Sequence, residues 1–236
     1  MHLFYIPRVN ANSLVLPEEE SRHCVRVLRL AAGDTLSLVD GRGGWYRCRV
    51  TRADAKQCEV TCIEKIEGHG RREFSIHVAI APTKNIERLE WCLEKCTEIG
   101  IDEITPLLCD RSERKVIHPE RLEKILVAAM KQSLKAYLPV LHPLTACREF
   151  LRDHRDTLKC IAHCDAGERY SLHQRYIPGT NITLLVGPEG DFSPDEIRLA
   201  LANGFLPVTL GESRLRTETA GIVACHTVHL LNALGS

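Results

Sequence analysis

Leu185-Val186-Gly187-Pro188-Glu189-Gly190-Asp191-Phe192-Ser193-Pro194-Asp195-Glu196 joins the end of an apolar run to the start of a helix through a glycine-bearing turn. The run Ile182 to Val186 carries no charge and reads as a strand. After the turn, Ser193 can cap a helix, Pro194 suits its first position and Glu196 stands where a capping box needs it. Gly204 should stop that helix. A second segment repeats the plan. The strand Leu206 to Leu210 passes through Gly211-Glu212-Ser213-Arg214-Leu215-Arg216-Thr217-Glu218-Thr219-Ala220 into a C-terminal helix rich in Ala, Val and Leu.

Working outward, Phe74 to Ile80 reads as a buried strand, and a helix over Asn85–Ile99 places Ile86, Leu89, Leu93 and Cys96 on one face before Gly100. A strand Glu103 to Leu108, a helix near Pro119–Ser133 and a strand Leu158 to Ala162 follow. Strands alternating with helices define an α/β class with a largely parallel sheet. In such sheets ligands bind at the carboxyl ends of the strands, where both glycine-bearing turns fall. Glycines there let a ligand approach backbone groups closely. Neither turn is a phosphate loop of the Walker type and no GxGxxG occurs, which disfavours nucleoside triphosphates and dinucleotides.

The front of the chain has another rhythm. Short β-like runs at Leu3 to Ile6, Thr35 to Val39, Trp45 to Val50 and Gln57 to Ile63 are separated by turn residues, with Gly41-Arg42-Gly43-Gly44 as a hairpin loop. They predict a small β-barrel. One helix interrupts it, opening at Pro17 with Glu18, Glu19 and Glu20 in its first turn and closing on Arg26 and Arg29, which suits the helix dipole. The polar, glycine-punctuated stretch 64–73 is the expected linker, dividing the chain into domains 1–70 and 71–236.

Composition bounds the function. At 236 residues, 44% hydrophobic and 26% charged, the chain is an ordinary globular protein with room for two domains. It lacks the roughly 20 consecutive apolar residues of a membrane span and opens on nothing resembling an export signal, so a cytosolic location without membrane contact is expected. The odd count of 11 cysteines then reads as reduced thiols. Net charge is zero, yet residues 1–72 hold 12 Lys and Arg against 9 Asp and Glu, a weakly basic front before a weakly acidic back.

The pair VGPEGDFSPDEI and LGESRLRTETAGIVA resembles the signature of the ribosomal RNA small subunit methyltransferase E family, of the SPOUT class. The likeness spans the chain through HCVRVLRLAAGD, ERLEWCLEKCTEIGIDEITPL and AAMKQS. It implies a PUA-like RNA-binding barrel ahead of a trefoil-knotted α/β domain, a homodimer, and methylation of uridine N3 in 16S rRNA near the decoding centre. It further implies that Leu185, Gly187, Pro188, Glu189 and Gly190, with Leu210, Gly211, Leu215, Arg216, Thr217 and Ala220, wrap S-adenosylmethionine; no metal is expected, since the cysteines form no Cys-x-x-Cys pair. The family usually has a second glycine where this chain has Asp191, and an arginine expected soon after AAMKQS is replaced around Lys135-Ala136.

Uridine N3 becomes nucleophilic only after losing its proton, so the site must favour an anion. Arg216 is the candidate for stabilising charge on the uracil oxygens, and Glu189 or Glu218 for assisting proton removal. Structural roles compete: Glu218 sits where it would complement a helix dipole, and Arg216 can be a plain ion-pair partner. Arg22, His23, Arg26 and Arg29 of the first helix, with Lys84, Arg111, Arg114 and Lys131 of the second domain, are expected against RNA phosphates of 16S rRNA or the small subunit. Cys58 with Cys62, Cys92 with Cys96, and Cys160-Ile161-Ala162-His163-Cys164 lack a CxxC pattern and read as packing residues. A SPOUT enzyme acting on a ribose hydroxyl or a tRNA base, and a non-catalytic ribosome-assembly factor, are the alternatives.

Overall fold

The computed structural model describes residues 2–9, 12–152, 158–165 and 167–235. They form two compact units. The first holds strands β1 (Leu3–Tyr5) and β2 (Ser13–Val15), helix α1 (Glu18–Arg22) continuing as a π turn over His23–Val27, and strands β3 (Thr35–Val39), β4 (Trp45–Arg52) and β5 (Glu59–Ile66). They build one five-stranded sheet in the order β1-β3-β4-β5-β2. In β4 the alternation is plain: Cys48 and Val50 point inward while Arg47 and Arg49 are exposed. The turn after β3 is held by Asp40, whose carboxylate accepts the N–H groups of Arg42 at 2.8 Å and Gly44 at 3.0 Å. Phe4, Leu16, Leu38, Cys48 and Val60 lie in its core.

This unit ends at Arg71 but also takes in Met130–Leu138, which lie far along the chain. Met130 and Ala136 are buried with Leu3, Val39 and Trp45. The Gly43 N–H donates to the Ala136 carbonyl at 3.0 Å, and the Leu138 N–H to that of Gly41 at 3.0 Å. A boundary drawn from the glycine-rich stretch alone misses this second segment. The expected linker is also shorter than 64–73, because β5 runs to Ile66 and Arg72 is anchored in the second unit. The Arg72 guanidinium donates to Asp102 at 2.6 Å and to the Gly100 carbonyl at 2.5 Å.

The second unit contains β6 (Ile76–Ile80), α2 (Ile86–Ile99), β7 (Glu103–Leu108), α3 (Pro119–Gln132), β8 (Val140–Leu141), β9 (Thr145–Ala146), α4 (Cys147–Phe150) and β10 (Leu158–Ala162). β11 (Tyr170–Ser171), α5 (Leu172–Arg175), β12 (Ile182–Val186), α6 (Pro194–Ala202), β13 (Leu206–Thr209) and α7 (Thr217–Gly235) complete it, the end of α3 belonging to the first unit. The sheet order is β11-β13-β10-β12-β6-β7-β8, with β9 beside β7, and every pairing is parallel. β12 and β6 are buried along their whole length, as continuous apolar runs in a two-sided sheet demand. No helix among the described residues is long and apolar enough to cross a membrane, and all eleven cysteines are free thiols.

The helix ends follow their side chains. Asn85 caps α2 by accepting the Glu87 N–H at 3.1 Å, and Gly100, at φ 127°, ends it. Ser193 accepts the Glu196 N–H at 3.2 Å while the Glu196 carboxylate accepts the Ser193 N–H at 2.8 Å, the reciprocal cap that opens α6.

α7 packs on α2, β6 and β12, whereas the strand that precedes it lies beyond β10. Residues 210–216 therefore cross back over the carboxyl ends of β10 and β12. Close approach of α7 depends on Gly221, where an added Cβ would stand 2.9 Å from Cys92 Sγ and 3.0 Å from Ile80 Cδ1. Gly221→Val should cost roughly 1–3 kcal/mol in denaturant unfolding, as overpacked cores do; unchanged stability would mean that α7 is not seated this closely.

Candidate active site: a cleft at the carboxyl ends of the strands

A cavity of about 1040 Å³ opens where β10, β12 and β13 end. Val186, Gly187, Pro188, Glu189 and Asp191 form one wall, Val208 to Thr217 with Ala220 a second, and Ala162, His163 and Cys164 a third. The first two walls are joined directly: the buried Thr217 hydroxyl donates to the Gly187 carbonyl at 2.9 Å. Gly187 is closely packed, since a Cβ there would stand 3.0 Å from the Phe192 ring, which would have to shift. Gly211 adopts φ 142° and is braced by Thr209, whose hydroxyl donates to its carbonyl at 2.7 Å.

Asp191 explains itself geometrically. It holds φ 64°, the left-handed region that favours glycine and is next most open to Asn and Asp. Its carboxylate accepts the Phe192 N–H at 2.8 Å and, from the third wall, the Cys164 N–H at 2.8 Å. What it loses in backbone ease it offsets by tying the β12 turn to the β10 turn.

Of the residues expected around a cofactor, Gly187, Pro188, Glu189, Leu210, Gly211, Leu215, Arg216, Thr217 and Ala220 line the cleft. Leu185 lies beneath it, fully buried with Ala79 and Ile161. Gly190 turns away, its carbonyl accepting from the Arg111 guanidinium at 2.9 Å. Arg216 is exposed on the wall, and its guanidinium makes no hydrogen bond among the described residues. The Glu189 carboxylate accepts the Lys84 N–H at 2.9 Å. Glu218 is 5% exposed and off the wall; one oxygen has no partner and the other is 3.9 Å from Arg88 Nε.

The expected RNA contacts divide in two. In the second unit Arg114 donates to the Thr83 and Lys84 carbonyls at 3.0 and 2.7 Å, and Lys84 pairs with Glu113 at 2.8 Å. These cations, with Arg111, brace the loops around the cleft. In the first unit His23, Arg26 and Arg29 are exposed, and Arg22 pairs with Glu18 at 2.8 Å. Lys131 belongs with these rather than with the second unit, because the end of α3 is drawn into the first core; it pairs with Glu20 at 2.6 Å.

The third wall is not legible as a site in the sequence. Ala162 ends an ordinary apolar strand, and His163 stands out only as a neighbour of cysteines. Its position directly after a central strand of a parallel sheet is the available signal. Among the described residues two groups bring three metal-type ligands together, His77 with Glu103 and His142, and Cys109 with Cys147 and Glu196. None of the cysteine groupings visible in the sequence is among them.

A parallel sheet with a glycine-walled cleft at its carboxyl edge, behind a small β unit, matches known families. Residues 70–229 fit the model described as RNA methyltransferase domain, and residues 16–62 that described as RNA methyltransferase PUA domain. The ribosomal RNA small subunit methyltransferase E of Synechocystis is 31% identical, over 93% of this chain and 73% of its own length. A crystal structure of a probable rRNA-methyltransferase from Porphyromonas gingivalis superposes with a TM-score of 0.95 at 44% identity, covering 100% of both chains. The ribosomal RNA small subunit methyltransferase E of Neisseria gonorrhoeae, solved bound to S-adenosyl methionine, gives 0.87 at 27% identity over 98% of each chain. The chain belongs to the ribosomal RNA small subunit methyltransferase E family.

The Thr217 bond can be tested alone. Thr217→Val removes a buried donor from the Gly187 carbonyl and should cost about 1–3 kcal/mol of stability, with Thr217→Ser restoring most of it; a valine variant as stable as the parent would show that the walls are joined by other means.

Proposed function

We propose that this chain uses S-adenosylmethionine to methylate N3 of a uridine in 16S rRNA near the decoding centre, acting as a homodimer on the assembled small subunit. The observation that supports it best is the junction of the two glycine-bearing turns, fastened by Thr217 to Gly187, around a cleft whose wall carries an Arg216 guanidinium without a partner among the described residues. The cofactor fits what is there: the cavity matches the roughly 300–1,000 Å³ typical of small-molecule sites, with apolar Val186, Val208 and Leu215 beside backbone bared by Gly187 and Gly211. Gly187, Pro188, Leu210, Gly211, Leu215, Thr217 and Ala220 would hold it. When bound, S-adenosylmethionine supplies a methyl group on a positively charged sulfur.

The protein's own residues then have two tasks. Arg216 stabilises negative charge on the uracil oxygens as the N3 proton leaves, which raises the share of nucleophilic anion. Of the two expected carboxylates, Glu189 lines the cleft and assists proton removal directly or through water, whereas Glu218 is buried off its wall. Holding the base in line with the transferable methyl contributes much of the remaining rate. In the first unit, exposed Arg22, His23, Arg26 and Arg29 grip phosphates and position the RNA without reading it. The crossing of residues 210–216 over the β10 and β12 ends is compatible with the trefoil knot that the family resemblance implies.

Mass spectrometry of rRNA incubated with protein and S-adenosylmethionine tests the reading. One base-methylated uridine in small subunits is expected, and little in free 16S rRNA; a methylated ribose, or no product, overturns it. Arg216→Ala should lower kcat about 10²-fold in a folded protein, and parental turnover would remove the electrostatic role. Replacing Arg22, Arg26 and Arg29 with Ala should flatten the dependence of log K on log salt by about 0.7 for each phosphate left without its arginine.

A further inference from the structure

His163 is 8% exposed, yet neither ring nitrogen has a hydrogen-bond partner, and the residue lines the cleft. Buried polar side chains are satisfied in the large majority of cases, so an imidazole left wholly unpaired in a binding cleft points to a partner that arrives with the ligand. The peptide group that follows it is held at both of its polar atoms. The Arg169 guanidinium donates to the His163 carbonyl at 2.8 Å, and Asp191 holds the next N–H, that of Cys164. The ring therefore stands in a prepared position.

We propose that His163 contacts the bound methyl donor, its neutral imidazole completing its hydrogen bonds on a polar group of that molecule. The inference rests on the methyl-donor reading of the cleft and adds a residue from the third wall to it. Neutrality matters because the donor brings a positive sulfur, and an imidazolium beside it would repel.

The surroundings favour the neutral ring. Burial pushes the His163 pKa below the ordinary 6.5, and Arg169 pushes the same way, while Asp191 and Asp165 oppose them. The other charged or titratable groups on the cleft walls are Cys164, Glu189, His173, Glu212, Arg214 and Arg216. The sign follows: a ligand that needs the neutral ring binds fully above the free-state pKa and loses affinity as pH falls through it.

Calorimetry of S-adenosylmethionine binding to the full chain, to His163→Phe and to His163→Gln, from pH 5 to pH 8, is the test. The Phe variant should bind about tenfold more weakly at pH 8, since it removes one hydrogen-bonding group. The parent should weaken on acidification below pH 6.5 more steeply than the Gln variant, and its His163 ring proton resonances should shift on saturation with S-adenosylmethionine. The ring resonances of the unmutated chain decide the matter even if a variant fails to fold. Parental affinity and pH profile in the Phe variant, or resonances that saturating cofactor leaves in place, would overturn the proposal while leaving the cleft as a cofactor site. Absence of binding to the parent chain would instead remove the cofactor reading, and this inference with it.

Discussion

The hydrogen bond from Thr217 to the Gly187 carbonyl joins the start of one excursion from the sheet to the end of another. One begins where β12 ends, the other closes where α7 begins, and in the sequence they are thirty residues apart. A buried carbonyl at a strand end needs a donor, and here the donor comes from the helix that must cross over it. Satisfying one backbone group thus sets where α7 starts, and α7 in turn covers β6 and β12 and lies along α2. The cleft is the space left between the two turns so joined.

Electrostatics around that space is divided between bracing and display. Arg111, Arg114 and Arg169 spend hydrogen bonds on the carbonyls of Gly190, Thr83, Lys84 and His163, which makes the loops rigid. Arg216, like Arg214, is left on the wall with no hydrogen bond to its guanidinium among the described residues. Planar guanidinium groups suit both tasks, because their donors are fixed in direction. The difference lies in whether a carbonyl stands within reach.

Much of the architecture is readable from residues. Ile182–Val186 and Leu158–Ala162 appear as strands with the expected bounds; the first is an uncharged run that suits a buried parallel sheet, and the second keeps Cys160 and Ile161 buried beside the single charge of Lys159. The cap at Ser193 is visible because its two bonds are local. Elements of two to four residues, such as β8, β9, β11, α4 and α5, carry no period to detect. The roles of His163 and Asp191 are hidden for another reason: each depends on a neighbour across the sheet, and a linear reading shows only that a glycine has been replaced.

Met130 and Ala136 fill the first unit's core from beyond the middle of the chain. A polypeptide made from its amino end therefore emerges with Trp45 and Val39 lacking part of their cover. The front unit cannot close until Leu138 has left the ribosome, by which time β6, α2 and β7 are already outside. The segment that sits first in the sequence is thus not the first able to finish folding, and a nascent chain stalled before Met130 would carry an open apolar face for as long as the stall lasts.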